Sequence, residues 1–135
     1  MIIDASVALR WFLNEPGASD AAAAFSQGPS PTAPDLVLVE IANGLWSAVR
    51  RQRMDEATAR ALLATAPSLF GPLRPAETLI DAAFDIARAL DHPVYDCLYL
   101  AMADADRTPL ITADQRLQAA TEGTKWRNLV SVLTP

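Results

Sequence analysis

Four carboxylates in this sequence occupy places where a carboxylate is hard to accommodate. Asp4 ends the apolar run that begins Met1-Ile2-Ile3, and Asp114 follows the run Leu110-Ile111-Thr112. Asp96 opens a segment that is otherwise apolar through Leu98, Leu100, Ala101 and Met102. Glu40 sits among Leu36, Val37, Leu38, Val39, Ile41 and Ala42. Carboxylates brought together repel one another and raise one another's pKa values. A divalent cation among them removes that conflict. Magnesium and manganese prefer oxygen ligands, and magnesium keeps several of its waters. An ion held in this way activates water and neutralises phosphate charge, and two ions ~3.5–4 Å apart clamp the attacking and leaving oxygens of a displacement. Gathered together, these four acids would suit metal-assisted chemistry of that kind.

Each acid also has a plainer use. Aspartate is a common helix N-cap, which would account for Asp4, Asp96 and Asp114 one at a time. Glu40 alone fits a solvated stripe. It belongs to a polar set with Asn43, Ser47 and Arg50, spaced so that all share one helix face. A narrow polar face on an otherwise apolar helix predicts a lined cavity. Asp20, Asp55, Asp85, Asp104 and Asp106 read as solvated surface.

Other chemistries find less support. The sequence has one histidine, His92, so a zinc site of several histidines is excluded. His92 precedes Pro93 and reads as a loop residue rather than a general base. The one cysteine, Cys97, reads as core packing, and no internal disulfide can form. No glycine-rich phosphate loop of the dinucleotide or Walker type is present. Trp11, Trp46 and Trp126 read as core or interface residues rather than base-stacking platforms.

These acids need strands and helices to position them. Met1 to Asp4 reads as a buried strand, followed by a helix to about Leu13 with Asp4 or Ser6 as N-cap. Asn14 to Gly17 is a turn and Ala18 to Phe25 a helix. Gln27 to Pro34, with three prolines, is a loop holding at most a short strand near Thr32. Helices over Asp35–Arg51 and Asp55–Ala64 form a hairpin. A short third strand is expected within Leu69–Ala76, and a helix over Ala76–Ala89 with Leu79, Ile80, Ala83, Phe84 and Ala87 on one face. After the boundary at Pro93, Asp96 to Asp104 is helical. Pro109–Thr112 is a strand, Asp114 leads a helix to about Thr121, and Leu129–Leu133 is a last strand. Strands alternating with helices predict an α/β fold with a mostly parallel sheet. Ligands of such sheets bind beyond the carboxyl ends of the strands, where Asp4 and Asp114 would stand side by side.

The 135 residues suit one domain, and the composition, 51% hydrophobic and 20% charged, is that of a globular chain. Met1 to Val7 lacks a basic leader, and no run approaches the ~20 apolar residues that cross a bilayer, so the expectation is a cytosolic protein. The formal net charge of −5 runs against nucleic-acid binding, which usually goes with excess positive charge. Two features soften this: a carboxylate cluster that binds cations counts as negative only while empty, and basic residues group locally at Arg50, Arg51 and Arg53.

Four stretches resemble the motifs of one family in order and spacing. Met1-Ile-Ile-Asp4-Ala-Ser6-Val-Ala-Leu-Arg-Trp-Phe is similar to the opening of VapC-type toxins of the PIN-domain superfamily. Ala33-Pro-Asp-Leu-Val-Leu-Val-Glu40-Ile-Ala-Asn43 resembles their second motif, Val94-Tyr-Asp96-Cys-Leu-Tyr-Leu-Ala-Met-Ala the third, and Leu110-Ile-Thr112-Ala-Asp114-Gln-Arg-Leu the fourth. The resemblance covers nearly the whole chain. It implies a three-layer α/β/α sandwich with a central parallel sheet. It also implies an Mg2+- or Mn2+-dependent endoribonuclease, a homodimer, and inhibition by a cognate VapB-like antitoxin. Asp4, Glu40, Asp96 and Asp114 carry over as the acidic metal site, with Asp114 acting directly or through water. Ser6 and Thr112 match positions that support the acids by hydrogen bonding, and Asn43 is a further candidate. Arg50, Arg51 and Arg116 are candidates to hold an RNA backbone and equally read as solvated arginines. The alternatives from other classes are a non-catalytic module whose acids bind an arginine-bearing partner, a nuclease acting on structured DNA, and a phosphatase with an aspartate nucleophile. The last ranks low because Ser6 stands where that chemistry wants a second acid.

Overall fold

A computed structural model describes residues 1–134. The elements run β1 (Ile2–Ile3), α1 (Ala5–Phe12), α2 (Ala18–Ser26), α3 (Leu36–Arg50), α4 (Glu56–Thr65), α5 (Ile80–Leu90), α6 (Val94–Asp106), β2 (Leu110–Thr112), α7 (Gln115–Ala120) and β3 (Val130–Val132), with short 3-10 turns at Ala66–Leu69, Ala76–Thr78 and Arg127–Leu129. The three strands form a parallel sheet in the order β1-β2-β3. Ile2 pairs with Leu110 and Ile3 with Ile111, while Leu110 pairs with Val130 and Thr112 with Val132. The arrangement is the expected α/β/α sandwich around a parallel sheet.

On its other side β1 meets only isolated bridges, Ile2 to Thr32 and, further out, Pro34 to Arg74. The strand expected within Leu69–Ala76 is therefore reduced to one paired residue. Pro72 and Pro75 have no N–H to give a ladder, so pairing stops around Arg74. Arg74 still exchanges both of its backbone bonds, donating to the Ala33 carbonyl at 3.0 Å and accepting from the Asp35 N–H at 2.8 Å.

Two helices differ from their expected character. In α3 only Val37, Ile41, Leu45 and Ala48 are buried, a single stripe at helical spacing. Val39 and Trp46 face outward at 64% and 57% exposure, so α3 is amphipathic rather than buried nearly all round, and Trp46 is not a core residue. Gly44 in mid-helix has a steric reason, because a Cβ there would stand 2.4 Å from Leu9 Cδ1 of α1. Glycine costs about 1 kcal/mol against alanine in a helix interior, and here it lets α1 and α3 approach. Helix α6 starts earlier than expected, at Val94, with Pro93 as N-cap. Its residues Cys97 to Ala103 are all buried, so it is the central helix of the core. Among the described residues no helix is long and apolar enough to cross a membrane.

Candidate active site

The carboxyl ends of β1 and β2 lie together, with the Asp4 N–H donating to the Ile111 carbonyl at 3.1 Å. Both strands turn directly into helices there. Asp4 caps α1 by accepting from the Ser6 N–H, and Asp114 caps α7 by accepting from the Arg116 N–H. These two acids are thus caps and cavity residues at once, whereas Asp96 lies in the first turn of α6, inside the helix, and caps nothing. Helix α3 contributes Glu40 from its second turn. All four acids line one cavity of about 420 Å³ whose wall contains no lysine, arginine or histidine.

Each acid has a donor. Asp4 is buried and accepts at Oδ1 from the Ser6 hydroxyl and, at 3.0 Å, from the Ser6 N–H. The Ser6 hydroxyl lies 3.3 Å from that of Thr112 and accepts from the Ala113 N–H at 2.8 Å, while the Thr112 hydroxyl accepts from the Asp114 N–H at 3.0 Å. Ser6 and Thr112 therefore tie the first acid to the fourth. The Tyr99 hydroxyl donates to Glu40 Oε1 at 2.6 Å. His92 lies 2.7 Å from Asp96 Oδ2 through Nε2. With its proton on Nε2 the ring would donate to that oxygen. Asp114 is paired with Arg116, whose Nε and NH2 lie 3.3 Å from its two oxygens.

Burial makes the acid charges unfavourable. Loss of solvent pushes Asp4 up from 3.8 to about 6, against the hydrogen bonds of Ser6 and Thr112 and with help from the Asp96 charge. Loss of solvent likewise pushes Glu40 from 4.5 to about 7, opposed by Tyr99 and assisted by the charges of Asp4 and Asp96. A cavity of mutually repelling acids with no positive side chain in its wall suits a hard cation. Among the described residues, however, no three acidic, histidine or cysteine side chains stand close enough to hold an ion as placed. Holding an ion would require the carboxylates to stand closer together than they do here.

The remaining residues singled out from sequence divide. Asn43 lines the cavity but is exposed and makes no side-chain hydrogen bond to the acids. Arg50 and Arg51 lie outside the cavity wall, with the Arg50 guanidinium 5.1 Å from the centre of the Trp46 ring. Cys97 is buried and its thiol is pushed up to about 11 by loss of solvent, which removes it as a nucleophile. His92 lies in a loop as expected, but its contact with Asp96 and the role of Tyr99 were not anticipated from sequence. Asp96 and Tyr99 share a face of α6 three residues apart, while His92 reaches Asp96 from the loop before the helix.

A family model for the PIN domain matches residues 1–123. A ribonuclease VapC3 of Pyrobaculum aerophilum is 34% identical over 122 residues, covering 87% of this chain and 91% of the relative. A ribonuclease VapC9 of Mycobacterium tuberculosis is 35% identical over 117 residues, covering 87% of each. Among solved structures, that of PAE2754 from Pyrobaculum aerophilum superposes with a TM-score of 0.67 at 25% identity, over 91% of this chain and 85% of the other. A toxin–antitoxin complex from Klebsiella pneumoniae gives 0.65 at 18% identity, over 98% of this chain and 97% of the other, and speaks for the fold.

Proposed function

This chain belongs to the PIN domain family, and from that premise we propose that it is an endoribonuclease dependent on Mg2+ or Mn2+ and the toxin of a toxin–antitoxin pair. The observation that carries the reading is the single cavity in which Asp4, Glu40, Asp96 and Asp114 converge with no cationic side chain in its wall. Asp4, Glu40 and Asp96 would hold one ion, and Asp114 would help a second or its waters. When bound, such an ion supplies a water reactive at neutral pH and neutralises charge at the phosphate.

The chain's own residues do the positioning. Ser6 fixes Asp4, Tyr99 fixes Glu40 and His92 fixes Asp96, each through one oxygen. In this reading a water is the nucleophile, so the products would carry 5′-phosphate and 3′-hydroxyl ends. The test is to incubate the purified protein, free of any antitoxin, with mixed RNA in Mg2+, in Mn2+ and in chelator, and to map the ends. Ion-dependent cleavage leaving 5′-phosphates supports the reading. Ends carrying 2′,3′-cyclic phosphate overturn the mechanism. No cleavage in either ion by folded protein that still captures an arginine-bearing partner overturns the enzyme in favour of a binding module.

A further inference from the structure

Tyr95 is the most exposed large apolar side chain of the protein, at 66%, and it lies at the mouth of the acid cavity beside Asp96. Its setting is unlike that of the rest of α6, where the run from Cys97 to Ala103 is buried. The Tyr95 ring stacks on no other aromatic and is not part of the core, and its hydroxyl has no hydrogen-bond partner among the described residues. Val39 of α3, 64% exposed and likewise outside the core, lines the same cavity. Two apolar side chains from different helices are thus held in solvent at the opening of a polar cavity, and packing within the chain explains neither.

The charge of the molecule sharpens the question. The chain carries a formal −5, and the cavity wall holds no lysine or arginine. Nucleic-acid affinity ordinarily comes from cations that displace condensed counterions along the phosphates. The cavity wall itself offers no such contact, so at the cavity mouth the uncharged parts of a substrate are what the protein can grip. An aromatic ring provides such a grip, because every base has a face that stacks and the interaction needs no charge.

We propose that Tyr95, with Val39, forms a subsite at the cavity mouth on which an unpaired base next to the scissile phosphate stacks. The proposal rests on the nuclease reading of the cavity. A phosphate held by an ion at Asp4 and Asp96 would leave the adjoining base one sugar away, within reach of the cavity mouth that Tyr95 lines. A base inside a duplex has both faces covered by its neighbours, so only an unpaired one can use the ring.

The experiment measures binding apart from cleavage. A fluorescently labelled, unstructured RNA oligonucleotide and a matched duplex are titrated by anisotropy at two salt concentrations, with Mg2+ present. The protein carries Asp4→Asn to stop turnover, with Tyr95 intact, Tyr95→Phe or Tyr95→Ala. The expected result is a loss of about 10-fold or more in single-strand affinity for Tyr95→Ala, the range that stacking one base supplies. Tyr95→Phe should stay close to its parent, because stacking uses the ring and not the hydroxyl. The duplex should bind more weakly than the single strand, and the salt dependence should be shallow. Tyr95 is exposed, so unchanged thermal unfolding of both variants is expected. Equal single-strand affinity for Tyr95→Ala and its parent overturns the subsite, as does an equal loss for Phe and Ala, or duplex bound as well as single strand. Retained RNA affinity together with lost binding of a protein partner assigns the ring to that partner and also overturns it. Failure of the nuclease reading itself appears separately, as absence of ion-dependent cleavage by the wild type.

Discussion

Three of the cavity acids are held by side-chain donors from inside the fold, while the fourth has a backbone cap bond and a side-chain partner that is almost free in solvent. The partners of Asp4, Glu40 and Asp96 are Ser6, the buried Tyr99 and the half-buried His92, whose side chain is 13% exposed. The partner of Asp114 is Arg116, at 88% side-chain exposure. A donor fixed by packing restricts a carboxylate's rotamers, while an exposed arginine gives it up easily, since surface pairs contribute little. The difference marks Asp4, Glu40 and Asp96 as the fixed part of the site and Asp114 as its adaptable part. Neutralising an acid on either side tests this most strongly. Asp4→Asn and Asp96→Asn should each lower kcat/KM for RNA cleavage by about 10³-fold or more, the equivalent of several kcal/mol of charge stabilisation. Asp114→Asn should lose less, on the order of 10-fold. Equal losses for all three would erase the distinction.

Much of this was legible in the sequence, because the signal sat in positions where one rule dominates. Asp4 and Asp114 each follow an apolar run and precede a helix, and both proved to be caps at adjacent strand ends. What was not legible came from tertiary competition. The expected strand near Arg74 shrank to a bridge because flanking prolines could not donate. The apolar run in α3 suggested all-round burial, yet Val39 and Trp46 face solvent, because burial depends on what packs against a helix and not on its composition. His92 was placed by its proline neighbour rather than by its spacing to Asp96, and the hydrogen bond between them depends on how the chain enters α6 through the left-handed residue Asp91.

The fixed acids should also reveal themselves in stability. Asp4 titrates near 3.8 when unfolded and near 6 when folded, so the folded chain holds a proton that the unfolded chain has released between those values. Stability from this group is fully present below about pH 4 and is lost as pH rises through about 6, amounting to roughly 2–3 kcal/mol. Glu40, raised to about 7, acts in the same direction. The measurement is unfolding of ion-free wild type and Asp4→Asn from pH 4 to 8. Relative to the variant, the wild type should weaken as pH rises, and Mg2+ should recover more of the difference at pH 7 than at pH 5. A constant gap between the two proteins would remove burial as the cause.

His92 sharpens the comparison at smaller scale, since its bond to Asp96 is the most readily altered of the fixed set. Losing a hydrogen bond to a ligating carboxylate typically weakens metal affinity 10–100-fold. His92→Leu should show a loss in that range in calorimetric titration with Mn2+, and His92→Gln, whose amide N–H can replace Nε2–H, should recover much of it. Packing alone would predict equal losses for Leu and Gln.

The smallest effect belongs to Arg116, and its sign is what matters. The carboxylate of Asp114 and the guanidinium satisfy one another at 3.3 Å on both oxygens, so an ion that approaches Asp114 competes with the arginine for it. Removing the competitor should favour the ion. Arg116→Ala is therefore expected to leave thermal stability nearly unchanged and to tighten Mn2+ binding slightly, opposite in direction to His92→Leu. Calorimetry on the two variants side by side reads both signs. Weaker ion binding in Arg116→Ala would mean that the exposed arginine positions Asp114 as the buried donors position the other acids. Unchanged ion binding with a raised KM for RNA would instead give Arg116 a phosphate to hold, and the adaptable part of the site would then belong to the substrate rather than to the cation.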